Sequence, residues 1–294
     1  LKTLTIFTPT YNRVHLLPRL YKALLQQSIQ DFIWLVVDDG SEDNTLELLQ
    51  KWKSEDKINI EFHSKENGGI HTAYNLGIEK CNTELFMCID SDDFPPIDAV
   101  HKVISFWTKN KNEKYAGIIG LDYSLDGKPL KNLQLPAKKE IHIIELATKY
   151  NFQADTKMVH RTELLKKVAP MKVFPNEKNF NPIYLFLIID QNYPLLILNE
   201  NLCFVDYQET GMANNILNQY KNSPKSFAEL RRLQMSLSHA PYSFVFRNAI
   251  HYISSCLFAK QNLLRDSPKR FTTFLAIPFG FLLYFYLRLR TDGE

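Results

Sequence analysis

Four cysteines in 294 residues, none of them in a C-x-x-C pair, leave no basis for a zinc ribbon or a disulfide framework. Cys81, Cys88, Cys203 and Cys256 read as free, buried thiols of a reducing compartment. Glycine is scarce, with ten residues, and none falls in a G-x-G-x-x-G or G-x-x-x-x-G-K-[ST] arrangement. A dinucleotide-binding turn and a P-loop are therefore not expected. Charge of one sign is also lacking: 35 Lys+Arg stand against 32 Asp+Glu, for a net charge of +3. A dedicated nucleic-acid binder is more basic and more clustered, so no nucleic-acid partner is expected. There is no internal repeat or low-complexity tract, and the residues from Leu1 onward show no secretory leader pattern. What is present is 45% hydrophobic content, including 20 Phe and 14 Tyr, enough for one large domain or a domain with an appendage.

The first ~120 residues alternate short apolar runs with helical periodicity, as an α/β sheet does. Strands are predicted at Leu4–Phe7, Ile33–Val37, Ile58–Phe62 and Leu85–Ile89, the last apolar throughout, as in a sheet covered on both faces. Helices are predicted over Leu16–Gln27, after Asn44 (read as an N-cap with Glu47 as capping-box partner) and from Gly68-Gly69 to Ile78. Three strand ends carry polar clusters: Thr8-Pro9-Thr10-Tyr11-Asn12, Asp38-Asp39-Gly40-Ser41 and Asp90-Ser91-Asp92-Asp93. Open α/β sheets bind ligands beyond the carboxyl ends of their strands, so all three clusters are expected on one rim.

Crowded carboxylates at Asp90, Asp92 and Asp93 repel one another unless a hard cation, Mg²⁺ or Mn²⁺, neutralises them. Such an ion completes its shell with phosphate oxygens and offsets the charge of a departing diphosphate. A solvated turn ahead of Pro95-Pro96 reads equally well from the tetrapeptide alone. Asp38 and Asp39 suit either a helix cap or acceptors for a base or ribose.

Five motifs in register carry a resemblance: Thr8-Pro9-Thr10-Tyr11-Asn12-Arg13, Val37-Asp38-Asp39-Gly40-Ser41, Glu66-Asn67-Gly68-Gly69, Ala73-Tyr74-Asn75-Leu76-Gly77-Ile78 and Ile89-Asp90-Ser91-Asp92-Asp93. Over about residues 3–110 the chain resembles family 2 of the inverting glycosyltransferases. That resemblance implies the GT-A fold, a Rossmann-like α/β arrangement in which helices flank a mixed central sheet, here with a C-terminal helical extension. It implies that Thr8, Pro9 and Tyr11 line the nucleotide pocket, with Tyr11 against the base, and that Asp39 and Asp38 accept from uracil or ribose. Asn67, Gly68 and His71 lie where such enzymes approach the nucleotide, and Arg13, Asn75 and Ser91 complete the donor-binding set. Asp90 and Asp92 match the DxD motif, with Asp92 the leading ligand for Mn²⁺ or Mg²⁺ and Asp93 the substitute. The donor implied is a UDP-sugar and the acceptor a lipid-linked or protein-linked glycan.

A looser likeness to a bacterial surface-glycan subgroup rests on Gln153-Ala154-Asp155, Arg161-Thr162-Glu163, Phe174-Pro175-Asn176-Glu177-Lys178, Tyr207-Gln208-Glu209-Thr210-Gly211-Met212 and Ile277-Pro278-Phe279-Gly280. It implies Glu177 as the general base, with Asp155 as the second candidate. Two rival functions share these features: a nucleotidylyltransferase, for which the Gly-rich basic loop after strand one is lacking, and a non-catalytic sugar-nucleotide-binding partner of another transferase.

The expected organisation is a transferase domain over 1–215, divided into a nucleotide-sugar half (1–120) and an acceptor half (121–215), followed by a helical region over 216–294. The helical pattern runs from about Ser226 to Leu264. Residues 260–290 then hold six basic side chains and one acid around the uncharged stretch Phe271–Leu287. Seventeen residues fall at the lower limit for crossing a bilayer. Residues 265–290 are therefore expected to meet an anionic membrane surface, placing the protein in the cytoplasm, peripherally at the inner face of the cell membrane. A subunit interface in a homo-oligomer is the alternative.

Overall fold

Runs of alternating character in the first half give alternating elements in a computed structural model, which describes residues 2–208 and 215–291. In order these are β1 (Leu4–Thr10), α1 (Leu17–Leu25), β2 (Phe32–Asp38), α2 (Thr45–Glu55), β3 (Ile60–Ser64), α3 (Ile70–Lys80), β4 (Leu85–Cys88), α4 (Ala99–Asn110) and β5 (Gly117–Ser124). The chain continues with β6 (Glu140–Ile141), α5 (Ile143–Thr148), β7 (Thr156–Arg161), α6 (Thr162–Val168), α7 (Ile183–Asp190) and β8 (Leu195–Val205). It ends with α8 (Ile216–Asn222), α9 (Pro224–Ser236), α10 (Tyr242–Phe258) and α11 (Arg270–Thr291).

Among the described residues the strands form one eight-stranded sheet in the order β3-β2-β1-β4-β7-β5-β8-β6. The first four are mutually parallel, while β7 lies antiparallel to both β4 and β5. β8 pairs parallel with β5. The carboxyl ends of β1, β2, β4, β5 and β8 therefore share one rim with the amino end of β7. The core beneath it includes Leu4, Ile6, Val36, Met87, Ile118 and Val159, all buried. Tyr21 stacks on Trp52 and on Trp34, with centroids 4.2 and 5.9 Å apart, and Trp34 meets Trp52 tilted at 5.9 Å. Each fully buried side chain of this kind contributes roughly 1.5–3 kcal/mol.

The chain divides into two compact units. One comprises Leu1–Asn67, Thr72–Pro170 and Ile188–Gln208 and holds the whole sheet. The other comprises Gly68–His71, Met171–Leu187 and Glu209–Glu294. Residues 171–187, expected in the acceptor half, thus group with the C-terminal helices. The continuous helical pattern predicted from Ser226 to Leu264 is broken between α9 and α10, where Pro241 precedes the first residue of α10. Asn44 makes no side-chain cap; Asp43 instead accepts from the Thr45 N–H at 3.1 Å and the Thr45 hydroxyl at 2.5 Å. All four cysteines are free; Cys88 is only half-buried.

His160 on β7 is buried, and desolvation depresses its pKa to about 3. A folded state that refuses a proton which the unfolded chain takes near pH 6.5 keeps full stability above that pH. It loses stability as pH falls toward 3. Between pH 7 and 4.5 this one group is expected to cost about 2–3 kcal/mol. Chemical denaturation across that range checks it: His160→Gln is expected to flatten the acid slope even if it lowers stability at pH 7.

Candidate active site

The loops after β1 and β2 are laced together at the rim. Asn12 has φ +53, a conformation Asn tolerates better than branched residues, and its side-chain oxygen accepts from the Glu42 N–H at 2.8 Å. Its own N–H donates to the Ser41 hydroxyl at 2.8 Å. Gly40 has φ +80, and a Cβ there would lie 2.9 Å from the Asn67 nitrogen, so only glycine lets the β2 and β3 loops approach this closely. Tyr11 is exposed above this base, and Pro9 is half-buried.

Two expected donor contacts, Thr8 and Asp38, are committed elsewhere, and a third, His71, is buried. Thr8 is fully buried: its hydroxyl donates to the Ile89 carbonyl at 2.9 Å and accepts from the Trp34 indole at 3.0 Å. It ties three strands together beneath the rim rather than lining a pocket. Asp38 is also buried, accepting from the Ser41 N–H at 3.2 Å, the Ser41 hydroxyl and the Ser64 hydroxyl at 3.1 Å, so it locks its own turn. His71 is buried with its ring 6.1 Å from Phe180. Asp39 is buried and pairs with Lys65 Nζ at 2.6 Å; the Thr72 hydroxyl is 3.4 Å away. Gly68 lies in the second compact unit, whereas Asn67 and Asn75, both half-buried, and the buried Ser91 lie in the first.

The DxD segment is held from several sides. Arg13 Nη1 meets Asp92 Oδ2 at 2.8 Å. Arg19 donates to the Asp92 carbonyl, pairs with Asp206 Oδ2 at 2.7 Å and lies 5.0 Å over the Phe94 ring. Asp90 is exposed, yet desolvation by the atoms packed around it raises its pKa, as does the charge of Asp92; Lys157 opposes both. Asp93 is turned inward, which corrects its expected place as a substitute metal ligand. It is buried, accepts from the Asp206 N–H at 3.1 Å and faces Lys157 at 3.9 Å. Desolvation, helped by Asp90 and Asp92, pushes its pKa up to about 7.

Lys157 is the residue that sequence reasoning missed. It is buried on β7, 3.7 Å from Asp122 at the rim end of β5. Burial works against its charge, but Asp122, Asp93 and Asp90 outweigh burial and raise its pKa well above the ordinary value. Asp122 is itself pushed up to about 6, chiefly by desolvation and then by Asp155 among its neighbours, with Lys157 pulling the other way. The signal available was one lysine inside a strand of otherwise mixed character.

The two candidate bases differ sharply. Glu177 is buried, and both its oxygens are taken: Oε1 accepts from the Lys225 N–H at 2.9 Å, and Oε2 from the Ser226 N–H and hydroxyl, each at 2.7 Å. It caps the amino end of α9, where a carboxylate meets unpaired N–H groups and the positive helix end. A base must be reachable by the substrate hydroxyl, and this carboxylate is buried and holds three donors of its own. Asp155 is exposed just before β7, and because β7 runs in reverse it emerges on the DxD rim. Its Oδ2 accepts from the Tyr207 hydroxyl at 2.5 Å. Burial, then this bond, raises the Tyr207 pKa and keeps the phenol a donor. Glu209, Thr210, Gly211 and Met212 of the expected motif lie outside the described residues.

Among the described residues no three His, Cys, Asp or Glu side chains form a metal cage. The donor set that is there, the rim carboxylates of Asp90 and Asp92 two residues apart after β4, fits a hard cation that draws its remaining ligands from a diphosphate.

Residues 5–169, more than half of the chain, match the family described as "Glycosyl transferase family 2". The chain belongs to glycosyltransferase family 2. Its similarity to TuaG of Bacillus subtilis, described as a teichuronic acid biosynthesis glycosyltransferase, is 24% identity covering 82% of this chain and 92% of that one. An uncharacterised Haemophilus influenzae glycosyltransferase is 29% identical over 60% of this chain and 67% of its own length. A Pasteurella multocida chondroitin synthase is 29% identical over 44% of this chain, which spans 13% of the synthase. The fold is that of S. aureus TarS, solved with UDP-GlcNAc, at a TM-score of 0.62 and 15% identity, covering 99% of this chain and 92% of that one. The family-2 glycosyltransferase described here thus has the GT-A architecture: a mixed sheet with flanking helices and a helical C-terminal region.

Proposed function

We propose that this glycosyltransferase moves a sugar from a UDP-sugar, with inversion, onto a hydroxyl of a bacterial cell-surface glycan acceptor, lipid-linked or protein-linked. The observation that carries the reading is that Asp90, Asp92 and Asp155, whose exposed carboxylate accepts from the Tyr207 hydroxyl at 2.5 Å, stand on the same rim of the sheet. Tyr11 offers an exposed ring for the base, and Asp39 and Asn67 lie in the adjoining loops. The TarS complex with UDP-GlcNAc and the name of TuaG support the donor and acceptor classes.

Asp92 and Asp90 would hold Mn²⁺ or Mg²⁺; a mannosyltransferase of the same fold from Pyrobaculum calidifontis was solved with GDP-Man and Mn²⁺ (TM-score 0.58, 14% identity, covering 98% of this chain and 83% of that one). When bound, the ion supplies positive charge against the departing diphosphate. Arg13 orients Asp92, and Arg19 fixes the backbone that carries it. Asp155 takes the proton of the acceptor hydroxyl, whose oxygen forms a bond to the anomeric carbon. The bond from that carbon to the diphosphate oxygen breaks in the same step, UDP leaves with the electron pair, and attack from the opposite face inverts the configuration.

Incubation with a panel of nucleotide sugars and Mn²⁺, reading released nucleoside diphosphate, tests the donor. UDP from a single sugar is the expected result; release of GDP instead would overturn the donor class. Asp92→Ala is expected to abolish metal-dependent UDP binding in calorimetry while circular dichroism stays unchanged. Undiminished binding would remove Asp92 from the metal site.

A further inference from the structure

The C-terminal helix is built inside out. Its buried residues are small or hydroxylated for most of its length: Thr272, Thr273, Ala276 and Gly280, with Leu287 near the end. Gly280 sits so close to α10 that a Cβ would come within 2.4 Å of Ile253 Cγ2. Rings of Phe279 and Tyr284 meet Phe246 and Phe258 of α10 at 5.9 and 4.6 Å. The opposite face carries the bulk. Among the described residues eighteen large hydrophobic side chains are exposed, and nine of them lie on α11, including Phe271, Phe274, Phe281, Leu282, Phe285 and Leu289. Burial in water drives large apolar groups inward and leaves small ones where they fall. A helix that does the reverse over six turns presents an apolar stripe larger than monomers normally expose.

The charge pattern selects the occupant. No charged residue occurs between Arg270 and Arg288. Lys269 and Arg270 stand at one end of the stripe and Arg288 and Arg290 at the other, all exposed. A second copy, docked parallel or antiparallel, would set basic ends against basic ends, with only Asp266 of residues 260–290 to offset them. An anionic bilayer surface satisfies both features: aromatics enter the acyl boundary and the flanking cations meet the headgroups. The inner face is held by Phe246, Ile253 and Phe258 of α10, and the other side of α10 is polar: Asn248 accepts from Arg231 of α9 at 3.0 Å, and the His251 ring lies 6.1 Å from Tyr220 of α8. With that polar neighbour, α11 lies in the interface plane instead of crossing the hydrocarbon core.

We infer that α11 is a membrane-surface docking helix that seats on anionic lipid through its outer aromatic face. The inference is independent of the donor and of the base. The test uses the full chain, sedimented with vesicles of phosphatidylcholine alone or mixed with phosphatidylglycerol. Binding is expected only with the anionic vesicles, weakened at high salt. It should fall about tenfold or more in the triple variant Phe274→Ser, Phe281→Ser, Phe285→Ser, with unfolding temperature and nucleotide binding retained. Leu282→Trp is expected to show a blue shift on binding and quenching by lipids brominated near the headgroup. Quenching strongest at the bilayer centre would overturn the in-plane seat. Failure to bind anionic vesicles, or binding unaffected by the triple substitution, would overturn the inference. So would a dimer that the triple variant splits while no vesicle binding occurs.

Discussion

Asp155→Asn is expected to lower kcat for glycosyl transfer by about 10²–10⁴-fold while leaving UDP binding and thermal stability close to wild type. The substitution keeps the shape and keeps an acceptor for the Tyr207 hydroxyl at 2.5 Å, but removes the group that takes the proton. Glu177→Gln is expected to behave in the opposite way. Gln retains one acceptor oxygen where Glu177 serves three donors, so the amino end of α9 loses part of its cap. A cost of about 1–2 kcal/mol in stability follows, with kcat per folded molecule nearly unchanged. Steady-state kinetics beside denaturant unfolding on the two variants separates the assignments. A collapse of turnover in Glu177→Gln at wild-type stability, with Asp155→Asn fully active, would exchange their roles. Tyr207→Phe should be milder than Asp155→Asn, because it removes only the donor that orients the carboxylate.

The rim was legible because it follows from direction alone. In a run of parallel strands every carboxyl end lies on the same side, so Tyr11, Asp39, Asp90 and Asp92 could be gathered there from their positions after apolar runs. Direction is also what hid the rest. Thr156–Arg161 alternates too weakly to announce a strand, and nothing in its residues says that it runs in reverse. That reversal brings Asp155 and Lys157 to the rim by their amino-terminal position. Thr8 depends on something else that is not local: a small hydroxyl at a strand end serves equally well as a pocket wall or as a tie. The choice was made by the Trp34 indole, 26 positions away. Glu177 likewise depends on Lys225 and Ser226, partners 48 and 49 residues distant that no local pattern connects to it. Polar residues whose partners are remote in sequence are the ones a linear reading assigns to ligands.

The second large effect concerns Lys157→Met. Methionine keeps the length and apolar stem and deletes the charge that Asp93 and Asp122 share at 3.9 and 3.7 Å. Both carboxyls are buried, and burial has already pushed them up to about 7 and about 6 with the ammonium in place. Without it they rise further and must either take up protons or stand as uncompensated charges. A raised acid binds a proton in the folded state that the unfolded chain has released, so stability falls as pH climbs through the folded value. The deficit of Lys157→Met against wild type is therefore expected to grow with pH. It should be small near pH 5.5 and approach the roughly 3–5 kcal/mol of a broken buried pair above pH 8. Adding Asp122→Asn to Lys157→Met should recover part of that loss, and the double-mutant cycle reads the coupling. Function should suffer at every pH at which the variant is folded. Asp93 is fastened to the Asp206 N–H and to Lys157, and it is the residue next to Asp92. Releasing it lets the DxD turn shift by the fraction of an ångström that a diphosphate clamp does not tolerate. UDP binding in Lys157→Met is accordingly expected to weaken about tenfold or more at pH 6, where the variant is folded. Calorimetry showing wild-type affinity there would confine Lys157 to a structural role.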